Sequence, residues 1–122
     1  MEPQKFSIGR QAKSFRDAFA GLRKFIAHER NARIHLLATC LVLILSLLLG
    51  VSRSEAIELV IAVGFVWTAE MFNTSLEKLV DFITVDQYPL LRFVKDVAGA
   101  AVLVAAITAV VIGSLIFIPK IL

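Results

Sequence analysis

"VAGAAVLVAAITAVVIGSLIFI", residues 97–118, runs for twenty-two residues without one ionisable side chain. At about 1.5 Å of rise per residue a helix of that length covers ~33 Å, enough to cross a hydrocarbon core of roughly 30 Å. Further towards the N-terminus, "IHLLATCLVLILSLLLGV" (34–51) repeats the pattern over eighteen residues, with His35 its one basic or acidic group. Between the two, residues 56–69 carry Glu58 as their one charge, and a helix begun there continues to about Phe82. The chain is 58% hydrophobic over 122 residues, well above what a soluble domain of this size uses. The reading is an all-α membrane protein, a single domain over 1–122, with spans at about 34–51, 55–82 and 96–118.

The N-terminal segment is of another kind. Phe15, Phe19, Leu22 and Ile26 recur at helical spacing, with Arg16, Arg23, Lys24 and Arg30 turned elsewhere. This predicts an amphipathic surface helix over about 10–30, lying in the membrane interface rather than crossing it. The first thirty-three residues are too charged for a signal peptide. Cys40 lies within the first span and reads as a small packing residue.

Basic residues orient the chain. Eight Lys/Arg lie in 1–33 and three more in 78–96, against Arg53 and Lys120 on the other side. The N-terminus and the second connection are therefore expected in the cytoplasm, and the C-terminus outside. A net charge of +3 then concerns lipid head groups; no nucleic-acid module is present.

"GVSRSEA" (50–56) reads as the outer turn, with Ser52 or Ser54 able to cap the helix that follows. "TVDQYPLLRF" (84–93) reads as the cytoplasmic turn, and "IPK" as the close of the last span. Ala101, Ala105, Ala109 and Gly113 form a ladder of small residues that predicts close helix packing.

The exception to all this apolarity is "AEMFNTSLEKLVD" (69–81). Glu70, Asn73, Glu77 and Asp81 fall within an arc of roughly 80° on one helix. A charge in the bilayer costs at least about 2.5 kcal/mol, so such a stripe must face protein or water. Glu70 lies some 22 Å from the outer end of its helix and Asp81 about 16 Å further in. That is the depth of a lipid head group, with the cytoplasmic end open to a nucleotide.

Each group has a chemical role available. A partly desolvated carboxylate near the interface can take a proton from a lipid hydroxyl. A second, two turns inward, can hold Mg²⁺ together with phosphate oxygens. Phosphoryl transfer asks for little beyond positioning, metal and cationic groups. Lys95 and Asp96 re-enter the membrane at the matching level, and Glu29 closes the surface helix there. Neither common glycine-rich nucleotide motif occurs. Simpler roles stand beside these: Asn73 and Thr74 as helix–helix glue, Glu58 as an interfacial residue, His28 and His35 as interfacial anchors.

The stripe "E-x-x-N-[ST]-x-x-E-x-x-x-D" from Glu70 to Asp81, "KDVAGAAVL" from Lys95, "SFRDAFAGL" (14–22) and "ERNARIHL" (29–36) together resemble the prokaryotic diacylglycerol kinase family. The resemblance covers almost the whole chain. It implies a three-span kinase of the bacterial cytoplasmic (inner) membrane with a surface helix, working as a homotrimer whose active sites are shared between subunits. Glu70 is then the general base, and Glu29 with Glu77 binds the magnesium of MgATP. Arg10, Asp17, Asn73, Lys95 and Asp96 are implied nucleotide and phosphate contacts, together with Asp86, Gln87 and Tyr88 of the cytoplasmic turn. Arg10, Asn31, Arg33 and Gly99 are implied around the lipid.

The lipid itself divides the family. The "H-E-x-N-x-R-I-H" stretch and the "F-I-P-K" ending resemble the branch whose members often phosphorylate undecaprenol, and Asp17 replaces the aromatic of the diacylglycerol-specific branch. Undecaprenol is thus favoured over diacylglycerol. Two other classes remain to be distinguished: a small oligomeric channel or proton pathway lined by the carboxylates, and an assembly subunit without chemistry.

Overall fold

A computed structural model describes all residues, 1–122, as four helices and no strand. They are α1 (Ile8–His28), α2 (Arg30–Leu49), α3 (Arg53–Ile83) and α4 (Pro89–Ile121).

Helix α1 starts where the Ser7 hydroxyl accepts the Arg10 amide at 3.4 Å. It ends two residues before the expected limit, because Glu29 leaves helical geometry at φ −100°, ψ 125°. Glu29 is at once the C-cap of α1 and the N-cap of α2, so two helices meet at a single residue. Its own amide still bonds to the Phe25 carbonyl at 2.9 Å. The Arg33 guanidinium folds back onto the Ala27 carbonyl and satisfies an otherwise open end of α1.

The outer turn is tight. Gly50 adopts φ 71°, which suits a residue without Cβ. Of the two serines proposed as caps, Ser52 serves: its hydroxyl accepts the Glu55 amide at 3.2 Å, and the Glu55 carboxylate accepts the Ser52 amide at 2.9 Å. Lys120, from the far end of the chain, reaches the same carboxylate at 3.1 Å.

The turn between α3 and α4, expected over 84–93, is shorter and confined to residues 84–88. Pro89 does not prolong it but opens α4, since proline's fixed φ and missing donor fit a first helical position. At the other end Pro119 does not stop the helix, which continues to Ile121. So near the terminus its missing donor costs one backbone bond at most.

Two helices, α2 and α4, are long and apolar enough to cross a membrane. The expected middle span, α3, has 31 residues and the length to do so, but carries Arg53, Glu55, Glu58, Glu70, Glu77, Lys78 and Asp81. Only 12 of the 122 residues are buried, while Leu47, Leu48, Val60, Phe72 and Val110 stand exposed. An apolar exterior of this extent calls for lipid or protein as its solvent.

Packing is dominated by α3 lying along α4, with α2 against both and α1 against α2. At the outer end Leu59, Ile116 and Phe117 form the core, joined by Val42 and Leu45 of α2. The buried face of α3 comprises Leu59, Ala62, Val66, Glu70, Asn73 and Val80, steps of three and four that hold one stripe straight. The polar residues continue the same face as the apolar ones. The small-residue ladder of α4 behaves differently. Ala105 is fully buried, but Ala101 is exposed and Ala98 takes its place. Steps of four advance about 40° each, so a four-rung ladder turns by roughly 120° and leaves its partner.

Candidate active site

The first turns of α2 and the middle of α3 come together because Asn31, His35 and Thr39 follow one another at steps of four. That spacing aligns them on a single face. Opposite them on α3 stand Trp67 and Glu70. The Glu70 side chain is only 2% exposed. Asn31 Nδ2 donates to its Oε1 at 3.2 Å, and His35 Nε2 lies 3.5 Å from its Oε2. Both carboxylate oxygens are thus addressed from α2, which makes burial of a carboxylate tolerable. Trp67 Nε1 donates to Thr39 Oγ1 at 2.8 Å, and Thr39 donates on to the His35 carbonyl at 2.7 Å. Phe25 of α1 meets the Trp67 ring edge to face at 6.1 Å.

One turn inward along α3, Asn73 is also buried. Its Nδ2 donates to Glu77 Oε1 at 3.2 Å, while its Oδ1 is enclosed without any donor. An enclosed amide oxygen beside a carboxylate is a place for a cation or a donor from a ligand. Beyond it, Glu29 pairs with Lys78 at 3.4 Å and Asp81 with Lys95 at 2.9 Å. Asp96 pairs with Arg92 at 3.3 Å, both largely exposed.

The structure therefore pairs Glu70 with Asn31 and Asn73 with Glu77, and Glu70 and Asn73 are the buried polar core of α3. Glu70 and Asn73, the first two members of the stripe, are buried within the single chain. Other expected residues stand apart. Arg10 and Asp17 lie on exposed turns of α1, roughly 28 and 18 Å from Glu29 along the helix. Arg33 is engaged with α1 instead of facing outward. Gly99 is exposed, and a Cβ there would meet nothing within 4 Å. Asp86, Gln87 and Tyr88 line a polar hollow of about 30 Å³ with Asp81 and Lys95, far too small for a nucleotide.

His35 was read as an interfacial anchor and is instead a neighbour of Glu70. The signal was present in the four-residue spacing of Asn31, His35 and Thr39, which the apolar surroundings masked. His35, Thr39 and Trp67 also form the polar head of an apolar groove of about 410 Å³. Its floor runs between α2 and α4 past Val42 and Ala109 to Phe117.

No three acidic, histidine or cysteine side chains converge as a metal cage. Of the two carboxylates expected to hold magnesium, Glu29 is paired with Lys78 and Glu77 with Asn73, whose Oδ1 stays free for a further partner.

Residues 16–117 match the family model of prokaryotic diacylglycerol kinase. The chain is similar to the undecaprenol kinase of Bacillus subtilis, with 38% identity over 113 residues covering 93% of this chain and 92% of that one. A diacylglycerol kinase of Synechocystis is 38% identical over 111 residues, 89% of this chain and 63% of its own. One from Haemophilus influenzae is 29% identical over 98 residues, 80% of this chain and 83% of its own.

Proposed function

We propose, from the premise that this chain belongs to the prokaryotic diacylglycerol kinase family, how it carries out the lipid phosphorylation of that family. The reading is transfer of the γ-phosphate of MgATP to the hydroxyl of a membrane lipid, undecaprenol in preference to diacylglycerol. The observation that carries it is the water-excluded Glu70 carboxylate, placed beside the head of an apolar groove. A lipid chain in that groove brings its hydroxyl to the polar end, where Glu70 accepts the proton as phosphate is attacked. The name of the relative that aligns over nearly its whole length supports undecaprenol.

Glu29 and Glu77 would hold magnesium, which would supply positive charge to the nucleotide phosphates when bound. Asn73 orients Glu77. Lys95, released from Asp81, supplies a cation for the transferred phosphate. Helix α3 crosses the membrane with α4, because the two pack along their length and share a five-residue turn. By the distribution of basic residues the N-terminus lies in the cytoplasm of a bacterial inner membrane and the C-terminus outside. The active assembly is a homotrimer. It is consistent with the exposed positions of Arg10 and Asp17 on α1, which leave both open to a neighbouring subunit.

The test is transfer of labelled γ-phosphate in mixed micelles, with undecaprenol and diacylglycerol offered separately and together. Label in undecaprenol that disappears with Glu70→Gln is expected. Label in diacylglycerol alone overturns the lipid assignment. No labelled lipid, with nucleotide-independent ion flux in liposomes, overturns the kinase reading.

A further inference from the structure

The geometry points to His35 as the positioning residue for Glu70, a role that rests on the kinase reading above. A carboxylate that is to take a proton must keep one oxygen directed at the substrate while the other is fixed. Asn31 fixes Oε1 at 3.2 Å. His35 stands at Oε2 at 3.5 Å, long for a hydrogen bond and of the kind that closes when substrate binds. His35 is the only titratable side chain lining the groove, and Glu70 does not line it at all. The imidazole therefore stands at the junction between the lipid chain's path and the base. As the hydroxyl arrives, its Nε2–H closes on Oε2 and holds the carboxylate in line.

The imidazole is itself held. Thr39 takes the His35 carbonyl and Trp67 takes Thr39, while the Trp67 ring lies tilted 6.5 Å from the imidazole. The backbone and ring of His35 are thus set by α3, the helix that carries Glu70. Nothing in this arrangement depends on the nucleotide side, where Glu29 and Glu77 lie. His35 should govern turnover and not nucleotide affinity.

Two variants of similar size separate the roles. His35→Gln keeps an N–H donor for Glu70; His35→Met keeps the packing against Trp67 and removes the donor. Lipid phosphorylation is measured per folded protein, taken from the monodisperse peak in detergent, so that yield cannot imitate turnover. His35→Met is expected to lose about tenfold to a hundredfold in kcat, the worth of one hydrogen bond to a charged group. KM for MgATP should stay within about twofold, and His35→Gln should recover most of the rate. A His35→Met enzyme with wild-type kcat overturns the assignment and leaves the kinase reading intact. Equal losses in both variants also overturn it, since packing and not donation would then be at issue. A wild-type chain that labels no lipid fails at the kinase reading instead.

Discussion

Lys95 of α4 meets Asp81 of α3 at 2.9 Å, joining the two long helices one turn beyond Glu77. The lysine is one-third exposed and the aspartate nearly two-thirds, so the pair adds little to stability. On the proposed function its importance is to keep a cation ready for the nucleotide. Lys95→Ala should leave the melting temperature within a few degrees of wild type and raise KM for MgATP by about tenfold or more. Steady-state kinetics with varied MgATP checks this; an unchanged KM would remove Lys95 from the nucleotide site.

Glu70→Gln keeps an oxygen for Asn31 and removes the base. Turnover should fall by at least about a hundredfold, with helical content and elution volume unaltered. Retained turnover would assign the proton to another group.

Glu77→Gln preserves an acceptor for Asn73 Nδ2, so the buried polar core survives. The Mg²⁺ concentration for half-maximal rate should nevertheless rise by about tenfold or more, because a charged ligand has become neutral. Titration of activity against Mg²⁺ at fixed ATP reads this directly.

Ser52→Ala breaks the reciprocal cap with Glu55 at the outer end, remote from the chemistry. Thermal unfolding in detergent should shift down by a few degrees while kcat and KM hold. A change in kcat here would mean that the outer turn communicates with the site.

Much of this could be read from the sequence because membrane helices leave few choices. The windows at 34–51 and 97–118 fixed α2 and α4, and the spacing of Glu70, Asn73 and Glu77 placed them on one face. What escaped had physical causes. Pro89 marks either a turn or a helix start, and only the chain around it decides. The Ala101–Gly113 ladder looked like a stripe because steps of four nearly match the helical repeat; the accumulated drift appears only when a partner helix is present. His35 was missed because its role lies in a contact with α3, thirty-five residues away. The spacing of Asn31, His35 and Thr39 marks a shared face of α2 but not the partner that the face meets.

The single-residue joint at Glu29 has a mechanical corollary. If α1 swings on it as a rigid arm, a 10° swing carries Arg10, at the tip about 28 Å away, through roughly 5 Å. The fulcrum itself stays almost still. A carboxylate at the fulcrum keeps its place whatever the bilayer does to the arm, whereas a guanidinium at the tip is delivered and withdrawn by the same stroke.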